Sequence, residues 1–127
     1  MTTHEMTGAN FAETIGKGTV VIDWWASWCG PCRAFAPTYD AAAAKHPDVT
    51  FAKVDTEAEQ GLAAAFQIRA IPTLMVFRDG ILLFREAGML PAAALDELIR
   101  RVVALDMEDV RRNIAEAEAA EARKIAV

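Results

Sequence analysis

The chain has 127 residues, 54% of them hydrophobic and 24% charged, which is the size and composition of one globular domain. Its formal net charge of −5 argues against a nucleic-acid groove or an anionic membrane surface as the main partner. No apolar run approaches the ~20 residues of a membrane span, and the start, MTTHEMTGANF, lacks the basic and apolar regions of a secretory signal, so we expect a cytoplasmic protein.

The first predicted elements are a short helix and a buried strand. Thr7 can cap a helix over residues 8–15, which the glycines that follow terminate. The stretch TVVIDWW (19–25) is β-branched and aromatic, and it is continuously apolar except for one carboxylate, Asp23. Such a run is typical of a central strand that is covered on both faces.

A second helix, a second strand and a third helix follow. After Pro31, the stretch RAFAPTYDAAAAKH (33–46) predicts a helix in which Pro37 produces a kink. VTFAKVD (49–55) predicts a strand, and EAEQGLAAAFQI (57–68) predicts a short helix with an acidic first turn.

The last part of the expected domain is a hairpin and a helix. TLMVFRDGILLFREAG (73–88) predicts two strands joined at Asp79-Gly80, a dipeptide that favours tight hairpin turns. LPAAALDELIRRVVAL (90–105) predicts a helix with Pro91 near its start. The apolar face of this helix comprises Leu95, Leu98, Ile99 and Val102. This order of elements predicts an α/β fold, with a central mixed β-sheet flanked by helices on both faces.

The C-terminal stretch, residues 106–127, has a different character. Asp106 and Asp109 resemble a capping box, and Glu108 can pair with Arg112 one helical turn later. Helix propensity is high but the apolar stripe is thin. A docked helix, a weak coiled coil and a frayed helix therefore all remain open.

Two cysteines, Cys29 and Cys32, lie three residues apart in CGPC. A structural zinc site needs four ligands. His46 follows at a zinc-finger-like distance, but the sequence has no second histidine at the required spacing and no third cysteine. Covalent haem attachment is excluded too, because Arg33 occupies the position where that motif requires histidine. We therefore expect no metal at this motif.

In a reducing compartment, such a pair indicates redox chemistry rather than a structural disulfide. Gly30-Pro31 is typical of a turn that starts a helix, which places Cys29 at the helix N-terminus. Unpaired N–H groups and the helix dipole lower the pKa of a thiol there and make it nucleophilic near neutral pH. Cys32 is expected to be less exposed but within reach of the Cys29 sulfur. Two inert buried thiols are the alternative, which this context disfavours.

Taken in order, VVIDWWAS, WCGPC, FAKVD, IRAIPTLMVF and RDG resemble the thioredoxin family over about residues 5–105. The resemblance implies a thioredoxin fold and a protein-disulfide reductase, which exchanges thiols and disulfides through Cys29 and Cys32 without a bound cofactor. It further implies disulfide-containing protein substrates and recycling by a thioredoxin reductase. It divides the chain into a thioredoxin domain, 1–105, and a C-terminal helical extension, 106–127, which has no counterpart in the family pattern.

Asp23 lies among valines and tryptophans, where ionisation is costly, so its pKa should be raised. A carboxylate of this kind can exchange a proton near neutral pH, as a general base must. By resemblance, Asp23 is the buried carboxylate that takes the proton of Cys32 when that thiol attacks. Lys53 is the lysine beside it that limits the rise in the pKa of Asp23. Both residues are therefore assigned to the catalytic group with the two cysteines. A solvated carboxylate at a strand end is the alternative interpretation of Asp23.

The same resemblance assigns the substrate-binding surface. Pro72 matches the family's cis-proline opposite the disulfide, whereas without the family it would be a proline at a strand start. The backbone of Ile71 is expected to pair with an extended substrate strand, and Trp28 is expected to shield the site. The other assigned members are Gly30, Pro31, Gly88 and Met89. Trp24 and Trp25 are assigned to the core, and both histidines to the surface.

Two positions depart from the family pattern: Trp24 stands where phenylalanine is usual, and Ala70 stands where glycine or serine is common before Ile-Pro. Two other functions also remain open. One is a non-catalytic interaction module that uses the extension, and the other is an electron donor dedicated to one partner enzyme. The intact WCGPC, Asp23 and Pro72 disfavour the module, but the sequence does not separate a dedicated donor from a general reductase.

Overall fold

The computed structural model describes residues 3–126, so Met1, Thr2 and Val127, the ends of the predicted domain and extension, lie outside the described residues. Its strands are β1 (Thr3–Glu5), β2 (Thr19–Trp25), β3 (Thr50–Asp55), β4 (Thr73–Arg78) and β5 (Ile81–Ala87). They form one sheet in the order β1-β3-β2-β4-β5. The β1–β3 and β3–β2 pairs are parallel, and the β2–β4 and β4–β5 pairs are antiparallel. The predicted mixed sheet is confirmed.

Helices cover both faces of this sheet. They are α1 (Phe11–Ile15), α2 (Gly30–Lys45), α3 (Gln60–Ala65), α4 (Ala92–Ala104) and α5 (Met107–Ala126). Apolar residues of α2 and α4 form one cluster with the sheet, and those of α1 and α3 form a second cluster on the other face. The expected α/β arrangement is therefore confirmed. Within residues 3–126, no helix is both long and apolar enough to cross a membrane.

The central position of β2 explains its almost continuous apolar sequence. Side chains alternate between the two faces of a strand. Val20, Ile22 and Trp24 pack in the cluster of α1 and α3, and Val21 packs in the cluster of α2 and α4. Asp23 is two residues beyond Val21 and therefore faces α2. Because both faces are covered, the strand needs no polar side.

Helix α2 is fixed to the sheet by a polar contact inside the core. Tyr39 has no exposed surface, and its ring packs against Phe35 and Phe51. Its hydroxyl lies 3.0 Å from the carbonyl oxygen of Val21 on β2 and 2.6 Å from that of Ala52 on β3. One side chain thus joins the helix to both central parallel strands.

The N-terminal segment differs from the prediction. The sequence predicts no strand at Thr3–Glu5, because three residues show no apolar alternation, yet this segment pairs with β3. The helix predicted over 8–15 begins only at Phe11. The backbone N–H of Thr7 donates to Oδ1 of Asn10 at 2.9 Å, so Thr7 lies in a turn and does not cap the helix.

Helix α3 is shorter than the helix predicted over 57–68, and its first turn contains no acidic residue. The carboxylate of Asp55 accepts hydrogen bonds from the backbone N–H groups of Glu57 and Ala58, at 2.9 and 3.4 Å. These bonds turn the chain before the helix, so the acidic residues precede it.

The predicted hairpin is confirmed. Asp79 and Gly80 join β4 to β5 with φ angles of 51° and 84°, the left-handed conformations that this tight turn requires. The turn also contacts the start of β2, where the N–H of Gly18 donates to Oδ1 of Asp79 at 3.0 Å. Since β2 and β4 are antiparallel, the turn lies at the opposite end of the sheet from the end where β2 leads into Cys29.

The two C-terminal helices meet near this turn. The guanidinium of Arg78 donates to the carbonyl oxygens of Val102 and Leu105 at the end of α4, at 2.9 and 2.7 Å. Oδ1 of Asp106 then accepts the N–H of Glu108 at 3.0 Å, which caps the start of α5. Arg78 and Asp106 thus bind several of the backbone groups that the end of α4 and the start of α5 leave unpaired.

Helix α5 contacts the domain through its first turns. Met107 is buried, and Nη2 of Arg111 lies 3.7 Å from Oδ2 of Asp79 in the hairpin turn. Arg112 pairs with Asp109 at 2.5 Å rather than with the predicted partner one position earlier. In the described part of α5, the side chains beyond these turns are almost all exposed. Of the three conformations left open, the structure shows a helix that is docked at its start.

Candidate active site

Cys29 lies at the junction between β2 and α2. It is the N-cap residue of α2, with φ and ψ of −83° and 112°, and Pro31 follows in the first turn. Its sulfur accepts a hydrogen bond from the backbone N–H of Cys32 at 3.2 Å. The predicted placement at a helix N-terminus is observed, although α2 begins at Gly30 and so includes the segment between the cysteines.

The two cysteines are joined as a disulfide, with their Cα atoms 5.2 Å apart. They pack against Ala26, with Trp25 and Ile71 at the edge of the cluster. The exposed fractions are 4% for Cys29 and 3% for Cys32, so the expectation that Cys32 is less exposed is not met in the disulfide form. Both sulfurs are shielded because the first turn of α2 lies against the loop before β4.

The loop before β4 brings Pro72 to the disulfide. The Ile71-Pro72 bond is cis, as the resemblance implies, and Sγ of Cys29 lies 3.7 Å from the carbonyl oxygen of Ile71. Gly88, just after β5, donates its N–H to the carbonyl oxygen of Pro72 at 2.8 Å. Its φ of 103° favours glycine, so Gly88 supports the loop through its backbone. Thr73 closes the loop with a 2.5 Å bond to the carbonyl oxygen of Ala70.

Trp28 is the most prominent apolar side chain beside the disulfide, with 65% of its surface exposed. Its indole N–H donates to Oε1 of Glu57 at 2.6 Å. The ring borders a shallow groove lined also by Thr56, Ile68, Arg69, Ala70 and Ile71. Glu57 is a residue that the sequence reasoning missed, because nothing in its local pattern connects it with a tryptophan 29 positions earlier. The exposed Gly30, Pro31 and Met89 also remain accessible.

Asp23 has no exposed surface, and neither carboxylate oxygen has a hydrogen-bond partner among the described residues. Burial raises the pKa of Asp23 to about 7; the positive charge of Lys53 opposes this rise, and the negative charge of Asp40 adds to it. Cys32 lies on the same buried face of α2 as Phe35 and Tyr39, the face that covers this side of the sheet. The acid and the inner cysteine thus belong to one helix–sheet interface.

Lys53 lies beside Asp23 on the neighbouring strand, in direct register. The side chain is half-buried, and its ammonium lies 5.0 Å from the ring centroid of Trp25. Trp24 is fully buried, as assigned, but Trp25 is only half-buried and packs at the edge of the cysteine cluster. Trp25 is the last residue of β2, and its burial falls at this strand end as it does at Thr19.

Neither histidine lies at this site. His4 is exposed on β1, whereas His46 is half-buried at the end of α2, with Nε2 2.5 Å from Oδ1 of Asp96 on α4. His46 is therefore not the simple surface residue that the sequence predicts. In residues 3–126, no group of three or more histidine, cysteine, aspartate or glutamate side chains is placed to hold a metal ion.

Comparison with known proteins decides the family. The family model for thioredoxin matches residues 2–101. The chain belongs to the thioredoxin family. Putative thioredoxin 2 of Streptomyces coelicolor is 48% identical over 118 residues, which cover 92% of this chain and 88% of that protein. The thioredoxin of Chlamydia trachomatis is 40% identical over 92 residues, or 72% of this chain and 90% of that protein.

Among solved structures, a mutant thioredoxin from Halobacterium salinarum superposes with a TM-score of 0.74 at 31% identity. The superposition covers 82% of this chain and 93% of that one. Together with the paired cysteines, these relatives identify the chain as a thiol-disulfide oxidoreductase of the protein-disulfide reductase type. Thioredoxins in general act on disulfide-containing substrates and are recycled by a thioredoxin reductase. The Streptomyces match is long enough to extend beyond residue 105, so that thioredoxin shares part of the extension.

Proposed function

We propose that Cys29 is the attacking thiol and Cys32 the resolving thiol of this reductase. The support for this order is the position of Cys29 as N-cap of α2, where its sulfur already accepts the N–H of Cys32. Donors at a helix N-terminus favour an anion, so they stabilise the thiolate that Cys29 needs for attack.

In the first step, the Cys29 thiolate attacks one sulfur of a substrate disulfide. A bond forms between Cys29 and that sulfur, and the other substrate sulfur leaves as a thiolate and takes a proton. In the second step, the Cys32 thiol loses its proton and attacks the Cys29 sulfur. The mixed disulfide breaks, the second substrate thiol is released, and the Cys29–Cys32 disulfide remains.

Asp23 receives the proton of Cys32 in the second step. A carboxylate that stays protonated up to neutral pH can both accept and return a proton there, and burial gives Asp23 a pKa of about 7. Lys53 stabilises the ionised form from the neighbouring strand. Within residues 3–126 no side chain or backbone group donates a hydrogen bond to either carboxylate oxygen of Asp23, so none competes with the thiol for them.

The substrate docks on the surface around the disulfide. The backbone of Ile71 pairs with an extended substrate segment, next to cis-Pro72 and the supporting Gly88. The apolar area of this surface comes from Trp28, Ile71 and Met89, and the exposed Gly30 and Pro31 follow Cys29 directly.

The recycling partner is a thioredoxin reductase, which returns two electrons and two protons to the disulfide, and the working compartment is the cytoplasm. Residues 1–105 form the catalytic domain and residues 106–127 an extension with no part in the chemistry. The contacts of α5 with the hairpin turn, away from Cys29, support this division.

The two cysteine roles are tested by substitution. Cys29→Ser should abolish reduction of insulin disulfides, because the attacking sulfur is gone. Cys32→Ser should still attack but should accumulate mixed disulfides, visible as adducts on a non-reducing gel and by mass spectrometry. Turnover by Cys29→Ser, or adducts formed through Cys32 in that variant, would reverse the assignment.

A further inference from the structure

A row of three charged residues crosses the sheet behind the active site. Glu5 on β1 is the register partner of Lys53 on β3, and Lys53 is the register partner of Asp23 on β2. In-register residues of parallel neighbouring strands point to the same face. All three side chains therefore emerge on the face that carries α2, in the order carboxylate, ammonium, carboxylate.

Burial decreases in steps along this row. Asp23 has no exposed surface, Lys53 is half-buried and Glu5 is exposed at the edge of the sheet. Lys53 and Glu5 line a cavity of about 260 Å³ with Trp25, Asp55 and the N-terminal residues Thr3 and His4. Lys53 thus lies on the strand between the one that carries the buried carboxylate and the one that carries the exposed carboxylate.

The other groups that face Asp23 cannot replace Lys53. From α2, Asp40 contributes a negative charge and Tyr39 a phenol whose pKa burial raises well above its usual value, so that it stays neutral. From β4, the register partner is the apolar Leu74. Of these influences on Asp23 within the described residues, the charge of Lys53 is the one that favours the ionised carboxylate.

We propose that Glu5 shares Lys53 with Asp23 and so sets the pH at which Asp23 takes the proton of Cys32. The proposal rests on the proposed role of Asp23 as the base for Cys32. Glu5 is a positioning residue, because it does not contact the cysteines and acts on Asp23 through Lys53, which lies on the strand between them.

The sign of the effect follows from the charges. The carboxylate of Glu5 compensates part of the Lys53 charge and draws the ammonium towards the edge of the sheet. Less of that charge then stabilises ionised Asp23, so Asp23 holds its proton to a higher pH. Removal of the charge at position 5 should therefore lower the pKa of Asp23.

The test uses Glu5→Gln in the full chain, with the Asp23 carboxyl titrated directly by ¹³C NMR. The midpoint should fall by about 0.2–0.7 pH unit, which is the range for one partly exposed charge pair. The pH profile for resolution of the mixed disulfide should move by the same amount. Glu5→Lys should move both further in the same direction.

Two variants distinguish an effect of Glu5 that acts through Lys53 from an effect of net charge in general. Glu13→Gln on α1, an exposed position on the other side of the sheet, removes the same charge and should leave the Asp23 midpoint in place. In a Lys53→Met background, Glu5→Gln should lose most of its effect, because the shared ammonium is gone.

The outcomes distinguish two claims: that Glu5 is coupled to Asp23, and that Asp23 is the base for Cys32. The proposal is overturned if Glu5→Gln leaves the Asp23 midpoint unchanged, if Glu13→Gln moves it as far, or if the shift survives undiminished in Lys53→Met. If the NMR midpoint moves but the resolution profile does not follow, the coupling of Glu5 to Asp23 stands and the base role of Asp23 fails.

Discussion

The indole N–H of Trp28 donates to the carboxylate of Glu57 at 2.6 Å, across 29 positions of sequence. This bond fixes an exposed ring at the rim of the disulfide, where Trp28 would otherwise be free to rotate. The proposed docking surface is therefore partly organised before a substrate arrives.

Glu57→Gln should weaken docking without changing the chemistry, because a charged acceptor becomes a neutral one. We expect KM for insulin to rise by about two- to five-fold with kcat nearly unchanged, and the fluorescence anisotropy of Trp28 to fall. Glu118→Gln, on the exposed part of α5, is the matched control and should alter neither quantity. An unchanged KM and anisotropy would remove the ordering role of Glu57.

Asp23→Asn should stabilise the protein above neutral pH. Burial raises the pKa of Asp23 from 3.8 to about 7, so the unfolded chain releases this proton at lower pH than the folded protein. Ionisation of Asp23 therefore costs no folding stability below about pH 3.8; this cost grows as the pH rises and is complete above about pH 7, at about 4 kcal/mol.

Urea unfolding at pH 4, 5.5, 7 and 8.5 measures this difference. The free energy of unfolding of Asp23→Asn should exceed that of the wild type by an amount that increases over this series. Asp48→Asn, an exposed position, should show no such trend. A difference that is the same at all four pH values would contradict ionisation of a buried Asp23.

Tyr39→Phe should destabilise the protein by about 1–2 kcal/mol. The ring and its packing remain, but the hydroxyl that bonds to the carbonyl oxygens of Val21 and Ala52 is lost. The same urea experiments measure the loss, and Tyr39→Leu, which also removes the aromatic contacts, should cost more. Equal stability of the wild type and Tyr39→Phe would show that the hydroxyl adds nothing.

Truncation after Leu105 should leave the rate of disulfide reduction within about two-fold of that of the full chain. The reason is that the described residues of α5 contact the domain only near the hairpin turn. The thermal midpoint should fall slightly, since Met107 is buried. Met107→Ala in the full chain should produce most of that fall. A loss of reductase activity on truncation would give the extension a catalytic part.

The central features of the fold follow from local sequence. Three features each specify a structure through neighbouring residues alone: the almost continuously apolar sequence of β2, the Asp79-Gly80 turn, and the spacing of Leu95 and Ile99. β1 could not be predicted in this way, because Thr3–Glu5 is a strand only through its partner β3. Asn10 likewise displaces the expected helix start by a contact that the sequence permits but does not impose.

The residues of the candidate site also fall into two groups, those that local sequence identifies and those that it does not. Cys29, Pro31 and Asp23 can be recognised because their chemistry depends on adjacent residues. Cys29 and Pro31 lie at the start of a helix, and Asp23 lies within an apolar strand. The contacts of Glu57, Tyr39 and Glu5 connect positions far apart in sequence, and register or packing alone brings them together. Their contributions become visible only once the strands are aligned.

Helix α5 is attached to the domain at the end of the sheet opposite the two cysteines. It begins beside the hairpin turn, and the seven residues of β2, about 20 Å of strand, lie between that turn and the disulfide. Its alanine-rich sequence keeps the helical form without a covering layer. A dye, a resin or a fused protein joined to the exposed side chains of its first turns is therefore held at the end of the sheet opposite the cysteines, which leaves the cysteine end free to meet large partners.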